Sequence, residues 1–296
     1  MKISFIGDFL PMGKYENFLK KDFIIQMHPS KNSNDEMYEC VKGAEIIVTH
    51  DRFDSELIQR LDGLKLLISW STGLDNIDIE AARNKGIQVI NTKNYCSQAV
   101  AEHVFSLIFS LARKIPQAIA EVNNRSWDCL PYKGIELKGK TLGLVGYGNI
   151  GKIVDKTAQA LDMKTLINCR SKLALPNYCS LDVLLMKSDF VCLCLSLNES
   201  SELLLDSTKF DIMKSTAFLV NISRGKIINE DHLIDALMKR KISGAGLDVI
   251  NDEPKVSQKL IGVPNLIITP HIAWLTEESV AAGAKLIYDI IKGYSK

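Results

Sequence analysis

Residues 141–160 read TLGLVGYGNIGKIVDKTAQA: a β-rich apolar run, three glycines at G-x-G-x-x-G spacing, then an amphipathic helical stretch. No other feature constrains the fold as much. Gly146 permits a tight turn, Gly148 lets the backbone approach a pyrophosphate, and Gly151 allows close helix–strand packing. Free amides at the helix start then meet phosphate charge. The segment Gly146, Tyr147, Gly148, Asn149, Ile150 and Gly151 is therefore expected to hold a dinucleotide.

The rest of the chain repeats the strand–helix alternation of parallel α/β sheets. Before the glycines lie KISFIG (2–7), EIIVTH (45–50), LKLLISW (64–70) and IQVIN (87–91). Between them, SELIQRLDG (55–63) and DIEAARNKG (78–86) read as helices, the second starting at a capping Asp78 and stopping at Gly86. A longer helix is expected over 97–114, apolar around much of its circumference and so packed on two sides. Six strands follow: TLGLVG (141–146), KTLINC (164–169), DFVCLCLS (189–196), TAFLVNIS (216–223), GAGLDVI (244–250) and NLIITP (265–270). They suffice for a complete doubly wound dinucleotide-binding domain. A final amphipathic helix over 276–293 takes Thr276 as its cap.

About 20 residues past the glycines, such a domain bound to NAD supplies an acid for the ribose 2′-hydroxyl. Here the strand ends in Cys169, Arg170, Ser171 and Lys172. The thiol removes the repulsion an acid would impose on a 2′-phosphate. Arg170 can fork onto phosphate oxygens, Ser171 can donate a hydrogen bond, and Lys172 adds charge. NADP(H) is expected over NAD(H).

At 296 residues and 46% hydrophobic, the chain is long enough for two domains. Thirty-six basic against thirty-five acidic residues leave a net charge of +1, which predicts neither a nucleic-acid nor a membrane partner. No apolar run approaches the length of a membrane span or signal peptide, so a cytoplasmic protein is expected. Seven scattered cysteines without His or acid at ligand spacing read as reduced thiols, and no metal is expected.

Three stretches place polar residues at strand ends: NISRGKIINE (221–230), GLDVINDEP (246–254) and ITPHIAW (268–274). Strand C-termini border the ligand crevice of an open α/β sheet, so Arg224, Glu253 and His271 are expected to converge as substrate-binding cation, carboxylate partner and proton donor. Together with STGLDNID (71–78), NYCSQAVAEH (94–103) and ELKGKTLGLVGYGNIG (136–151), these stretches resemble the D-isomer-specific 2-hydroxyacid dehydrogenases over nearly the whole chain. HIAW (271–274) is similar to the glycerate dehydrogenase and glyoxylate/hydroxypyruvate reductase branch.

That resemblance implies two doubly wound Rossmann-like domains, with a cofactor domain over 93–274 inserted into a substrate domain made of 1–92 and 275–296. It implies a homodimer with the 97–114 helix in its interface. It also implies hydride transfer between a nicotinamide and C2 of a small 2-oxo acid such as glyoxylate or hydroxypyruvate. His271 would donate the proton, Glu253 would orient it, and Arg224 would grip the substrate carboxylate and carbonyl. Backbone amides of Thr72, Gly73 and Leu74 would hold the carboxylate while Asp75 and Asn76 brace the loop, and Trp274 would limit substrate size. Leu195, Ser196, Ile222, Asp248 and His271 would surround the nicotinamide and its ribose. The alternatives are phosphoglycerate dehydrogenase-type activity and a non-catalytic dinucleotide-sensing binding protein. The full Arg–Glu–His set favours an enzyme over the sensor.

Overall fold

A computed structural model describes residues 2–7, 13–171 and 174–294. The chain divides into two compact units, Met1–Cys96 with Leu275–Lys296, and Ser97–Trp274. The first boundary falls at the start of the long helix, four residues beyond the expected 92/93. No helix among the described residues is long and apolar enough to cross a membrane.

The first unit is built on five parallel strands, β1 (Ile3–Ile6), β2 (Ile25–His28), β3 (Ile46–Thr49), β4 (Leu66–Ser69) and β5 (Gln88–Asn91), ordered β2-β1-β3-β4-β5. Every residue of β1, β3 and β4 is buried, because both faces of a parallel sheet are covered by helices. Each fully buried Ile, Leu or Phe contributes roughly 1.5–3 kcal/mol. The connecting helices start where short polar side chains cap them. Asp54 accepts from the Leu57 N–H, Asp78 from the Ala81 N–H, and Thr276 from the Ser279 N–H. β2 was not expected from the sequence. It is an edge strand with only Ile25 buried, so it lacks the continuous apolar run of its neighbours.

The second unit carries all six expected strands, β6 (Thr141–Val145), β7 (Lys164–Asn168), β8 (Phe190–Leu193), β9 (Phe218–Asn221), β10 (Gly244–Leu247) and β11 (Leu266–Ile268). They pair in parallel in the order β11-β10-β9-β8-β6-β7. Tyr178 bridges Ile167 beyond β7 as a one-residue extra strand. Counting it, the order in chain sequence is 3-2-1-4-5-6-7, and the reversal between β6 and β8 marks where such sheets bind ligands.

Helix Ser97–Arg113 buries nine side chains, packed against β9, β10 and helix Asn149–Ala160. Its apolar circumference is thus largely accounted for inside this unit. Exposed apolar surface lies at Phe109 on this helix and along the next helix, Ile115–Asn123, which buries none of its residues.

Candidate active site

The glycine loop follows β6 at the sheet's reversal point. Gly146 has φ +101°, and a Cβ there would stand 2.5 Å from the carbonyl oxygen of Cys194, so the turn and its closeness to the end of β8 both require glycine. A Cβ on Gly151 would meet the Gly146 carbonyl at 2.7 Å. At Gly148 nothing among the described residues lies within 4 Å of such an atom, which leaves the start of helix Asn149–Ala160 open to a ligand, and no described side chain caps it. Asn149, Ile150 and Gly151 form that first turn. The Tyr147 hydroxyl donates to buried Asp155 at 2.6 Å, which pushes the phenol up to about 12 and pins the side chain to the helix. The loop's backbone, with Gly148 open beside it, suits the pyrophosphate of a dinucleotide.

β7 ends directly beside this loop, since the Gly146 N–H donates to the Asn168 carbonyl at 2.7 Å. Just past it, the Cys169 thiol donates to the Ser171 carbonyl at 3.0 Å, while Arg170 and Ser171 are exposed. Arg170 forms no ion pair among the described residues. Lys172 lies outside the described residues. Leu195 and Ser196 follow β8 next to the glycine loop, where the Ser196 carbonyl accepts from the Ser201 hydroxyl at 2.9 Å. Ile222 is buried after β9, and its neighbour Ser223 donates to the Leu193 carbonyl at 2.8 Å, tying the ends of β8 and β9 together.

The polar residues come from neighbouring strand ends, because β9, β10 and β11 are adjacent. Arg224 stands three residues past β9 and donates to the Ser223 carbonyl at 2.8 Å. A Cβ on the next residue, Gly225, would meet the Ile250 carbonyl carbon at 2.1 Å, so the Arg224 loop lies against the loop that carries Glu253. Glu253 Oε1 accepts from the Ile250 N–H at 3.0 Å, and Oε2 is 2.6 Å from His271 Nδ1. Glu253 and His271 therefore meet as the sequence anticipates. Both are about one-third to two-fifths exposed, open enough to reach a ligand.

His271 adopts φ +55°, a left-handed conformation uncommon for a side-chain-bearing residue. Asp248 holds it there. The Asp248 carbonyl accepts from the His271 N–H at 2.9 Å. Its carboxylate accepts from the Ile272 N–H at 2.9 Å, the Ala273 N–H at 2.8 Å and the Thr269 hydroxyl at 2.6 Å. His103 Nε2, from the long helix, lies 3.0 Å from the Thr269 hydroxyl and 3.4 Å from Asp248. Burial alone would push this carboxyl up, but the hydrogen bonds from His103, Thr269, Ala273 and Ile272 outweigh it and hold it below the usual carboxylate range. Trp274, half-buried, follows the held loop. His103 and Thr269 were not anticipated: they are 166 residues apart, and no local spacing links them.

In the first unit, Thr72, Gly73 and Leu74 form the loop after β4. The Ser71 hydroxyl donates to the Gly73 carbonyl, and Asn91 donates to the Thr72 carbonyl at 2.5 Å. Asn76 braces the loop as expected, donating to the His50 and Asp51 carbonyls at 3.1 and 3.0 Å. Among the described residues, no group of three or more His, Cys, Asp or Glu side chains is placed to hold a metal ion.

Comparison with known proteins extends this geometry. Residues 105–273, more than half of the chain, match the family model described as D-isomer specific 2-hydroxyacid dehydrogenase, NAD binding domain. A glyoxylate reductase of Pyrococcus furiosus is 32% identical over 288 residues, covering 92% of this chain and 86% of the relative. A glyoxylate reductase of Thermococcus litoralis is 34% identical, covering 88% and 83%. Among solved structures, an acyclic imino acid reductase in complex with NADPH and D-Arg superposes with a TM-score of 0.91 at 30% identity, covering 99% of this chain and 97% of that one. With the glycine loop, the Glu253–His271 pair and these relatives in place, the chain belongs to the D-isomer specific 2-hydroxyacid dehydrogenase family and is a nicotinamide-dependent oxidoreductase.

Proposed function

We propose that this protein reduces glyoxylate or hydroxypyruvate, with NADPH preferred over NADH, as a homodimer in the cytoplasm. The 2.6 Å contact between His271 Nδ1 and Glu253 carries the catalytic reading. An imidazole whose Nδ1–H is committed to a carboxylate presents Nε2 to the substrate, and that atom delivers the proton to the developing alkoxide. Arg224 binds the carboxylate and polarises the carbonyl. Backbone amides of Thr72, Gly73 and Leu74 hold the same carboxylate, and Trp274 limits the size of the acid. When bound, the nicotinamide supplies the hydride. Gly146 to Gly151 take its pyrophosphate, and Leu195, Ser196, Ile222 and Asp248 are the residues we assign around its nicotinamide end.

The cofactor preference rests on Arg170, Ser171 and Lys172 in place of an acid. The exposure of Arg170 and its lack of an ion pair among the described residues support it, and the similar imino acid reductase holds NADPH. Initial rates of NADPH and NADH oxidation with glyoxylate and hydroxypyruvate test it. NADPH is expected to be the better substrate, and Arg170→Ala is expected to shrink the NADPH/NADH ratio of kcat/KM about tenfold, the loss of one charge-assisted hydrogen bond of roughly 1.5 kcal/mol. A wild-type preference for NADH would reduce these cations to solvated surface charge.

Support for the homodimer comes from the second unit's exposed apolar residues Ile115, Ile119, Val122, Trp127 and Leu130, with Trp127 91% and Leu130 82% exposed. Light scattering at about 10 µM protein, well above a sub-micromolar Kd, is expected to give twice the chain mass. A monomer would overturn this assignment. The seven free cysteines suit the reducing cytoplasm.

A further inference from the structure

Cys192 lies within β8 and Cys194 is the first residue beyond it, so strand alternation turns both toward one face of the sheet. Val191 and Leu193 take the opposite face, in one core cluster with Leu185 and Phe210. The two sulfurs approach to 3.3 Å. Their settings differ. Cys192 is fully buried in the middle of the sheet, paired with Leu144 of β6 and Val220 of β9. Cys194 is half-buried, past the end of the ladder, and its N–H donates to the Val145 carbonyl at 2.8 Å.

The Cys194 carbonyl is also the group that a Cβ on Gly146 would strike. Cys194 is therefore part of the wall against which the glycine turn packs. Contact with the Cys194 sulfur, together with burial, pushes the Cys192 thiol well above the usual thiol range. Cys192 thus keeps its proton and directs it at the neighbouring sulfur, while Cys194 is the sulfur of the two that solvent reaches.

We propose that Cys194 and Cys192 are a modification site, an oxidisable dithiol that a hydroperoxide converts to a disulfide, weakening dinucleotide binding. The Cys194 thiolate attacks the hydroxyl oxygen of the peroxide. An S–O bond forms, the O–O bond breaks, and water or an alcohol leaves with the proton that the thiol gave up. The Cys192 sulfur then attacks the resulting sulfenic acid, and its hydroxyl departs as water with the Cys192 proton. Two thiols lose two electrons and two protons, and the peroxide takes up both.

Coupling to the cofactor site follows from the reach of the bond. Residues two apart in an extended chain hold their Cα atoms about 6.6 Å apart. That is near the upper limit of about 6.8 Å for a disulfide, whose sulfurs stand about 2.0 Å apart. The chain must therefore draw in between 192 and 194. Strands on both sides fix Cys192, so the movement falls on Cys194. It pulls on the bond to Val145, shifts the carbonyl packed against Gly146, and carries Leu195 and Ser196 with it. This rests on the assignment of the Gly146–Gly151 loop to the pyrophosphate, since that loop binds through backbone amides whose aim the turn sets. Disulfides in a reducing compartment are characteristically transient and redox-sensing.

The test treats fully reduced wild-type protein with hydrogen peroxide, then unfolds it in denaturant with an alkylating agent and maps the peptides by mass spectrometry. The segment carrying both cysteines is expected to be unalkylated and two hydrogens lighter, and to accept two alkyl groups after dithiothreitol. In a fluorescence titration of the folded protein, NADPH affinity is expected to fall at least about tenfold on oxidation, the equivalent of one charge-assisted hydrogen bond. Dithiothreitol is expected to restore it. Cys194→Ala keeps the carbonyl against Gly146 and is expected to make NADPH affinity indifferent to peroxide. Cys192→Ala is expected to stop at a sulfenic acid on Cys194, trapped by dimedone. Cys192 still open to alkylation after peroxide, or an affinity within twofold once the disulfide has formed, overturns the proposal. So does a peroxide response in Cys194→Ala equal to that of wild type. The wild-type peptide map and titration decide the matter even where a variant fails to fold. If the reduced protein binds neither NADPH nor NADH, the assignment of the glycine loop itself falls, and this proposal with it.

Discussion

His271→Asn is expected to lower kcat for 2-oxo acid reduction by about 10²- to 10⁴-fold, the usual contribution of a positioned general acid. Asparagine is the informative replacement because position 271 needs φ +55°, and Asn tolerates the left-handed region better than most residues. The backbone and the N–H bonded to the Asp248 carbonyl then survive, so the loss is chemical rather than conformational. Glu253→Gln is expected to cost less, roughly 10- to 100-fold on the general acid–base scale, since the amide still reaches Nδ1 but carries no charge to match a protonated ring. Steady-state kcat at saturating cofactor and substrate, with a thermal midpoint for each variant, checks both. A kcat within threefold of wild type for His271→Asn would place the proton donor elsewhere.

The sequence exposed most of the frame that carries this pair. Strands buried on both faces announce themselves as continuous apolar runs, as in ISFI, IIVT and FVCL. The edge strand Ile25–His28 and the one-residue strand at Tyr178 bury too little to do so. That Glu253 and His271 meet was legible because each stands a few residues past a strand, and β10 and β11 lie side by side on this half of the sheet. The restraint on His271 was not recoverable. It runs through His103 on a helix far away in sequence, and through a conformation that only backbone geometry reveals. The resemblance pointed to Asp248 as a residue of the nicotinamide end. What its carboxylate grips was not legible.

Asp248→Asn is expected to destabilise the second unit by about 3–5 kcal/mol, the cost of breaking a buried charged network on one side, and to lower its thermal midpoint by roughly ten degrees at neutral pH. The carboxylate is 1% exposed and takes only donors: two amides, a hydroxyl and the His103 ring. An amide nitrogen turned to either side would face one of those donors, leaving it buried and unpaired. The pH dependence follows from the sign of the shift. A carboxyl held below its unfolded value contributes stability that is fully present above about pH 4 and is lost as pH falls through the folded value. The gap in thermal midpoint between wild type and Asp248→Asn should therefore be widest near neutrality and narrow below pH 4, as the wild-type carboxylate takes up its proton. Activity should fall with it, because the loop that fixes His271 in its left-handed conformation is released. The apo protein separates this role from cofactor contact. A residue that only touched the nicotinamide would weaken cofactor binding and leave the apo thermal midpoint where it was, whereas one that clamps the His271 loop lowers that midpoint before any cofactor is added. An apo midpoint within two degrees of wild type would show that the loop is held by something other than Asp248.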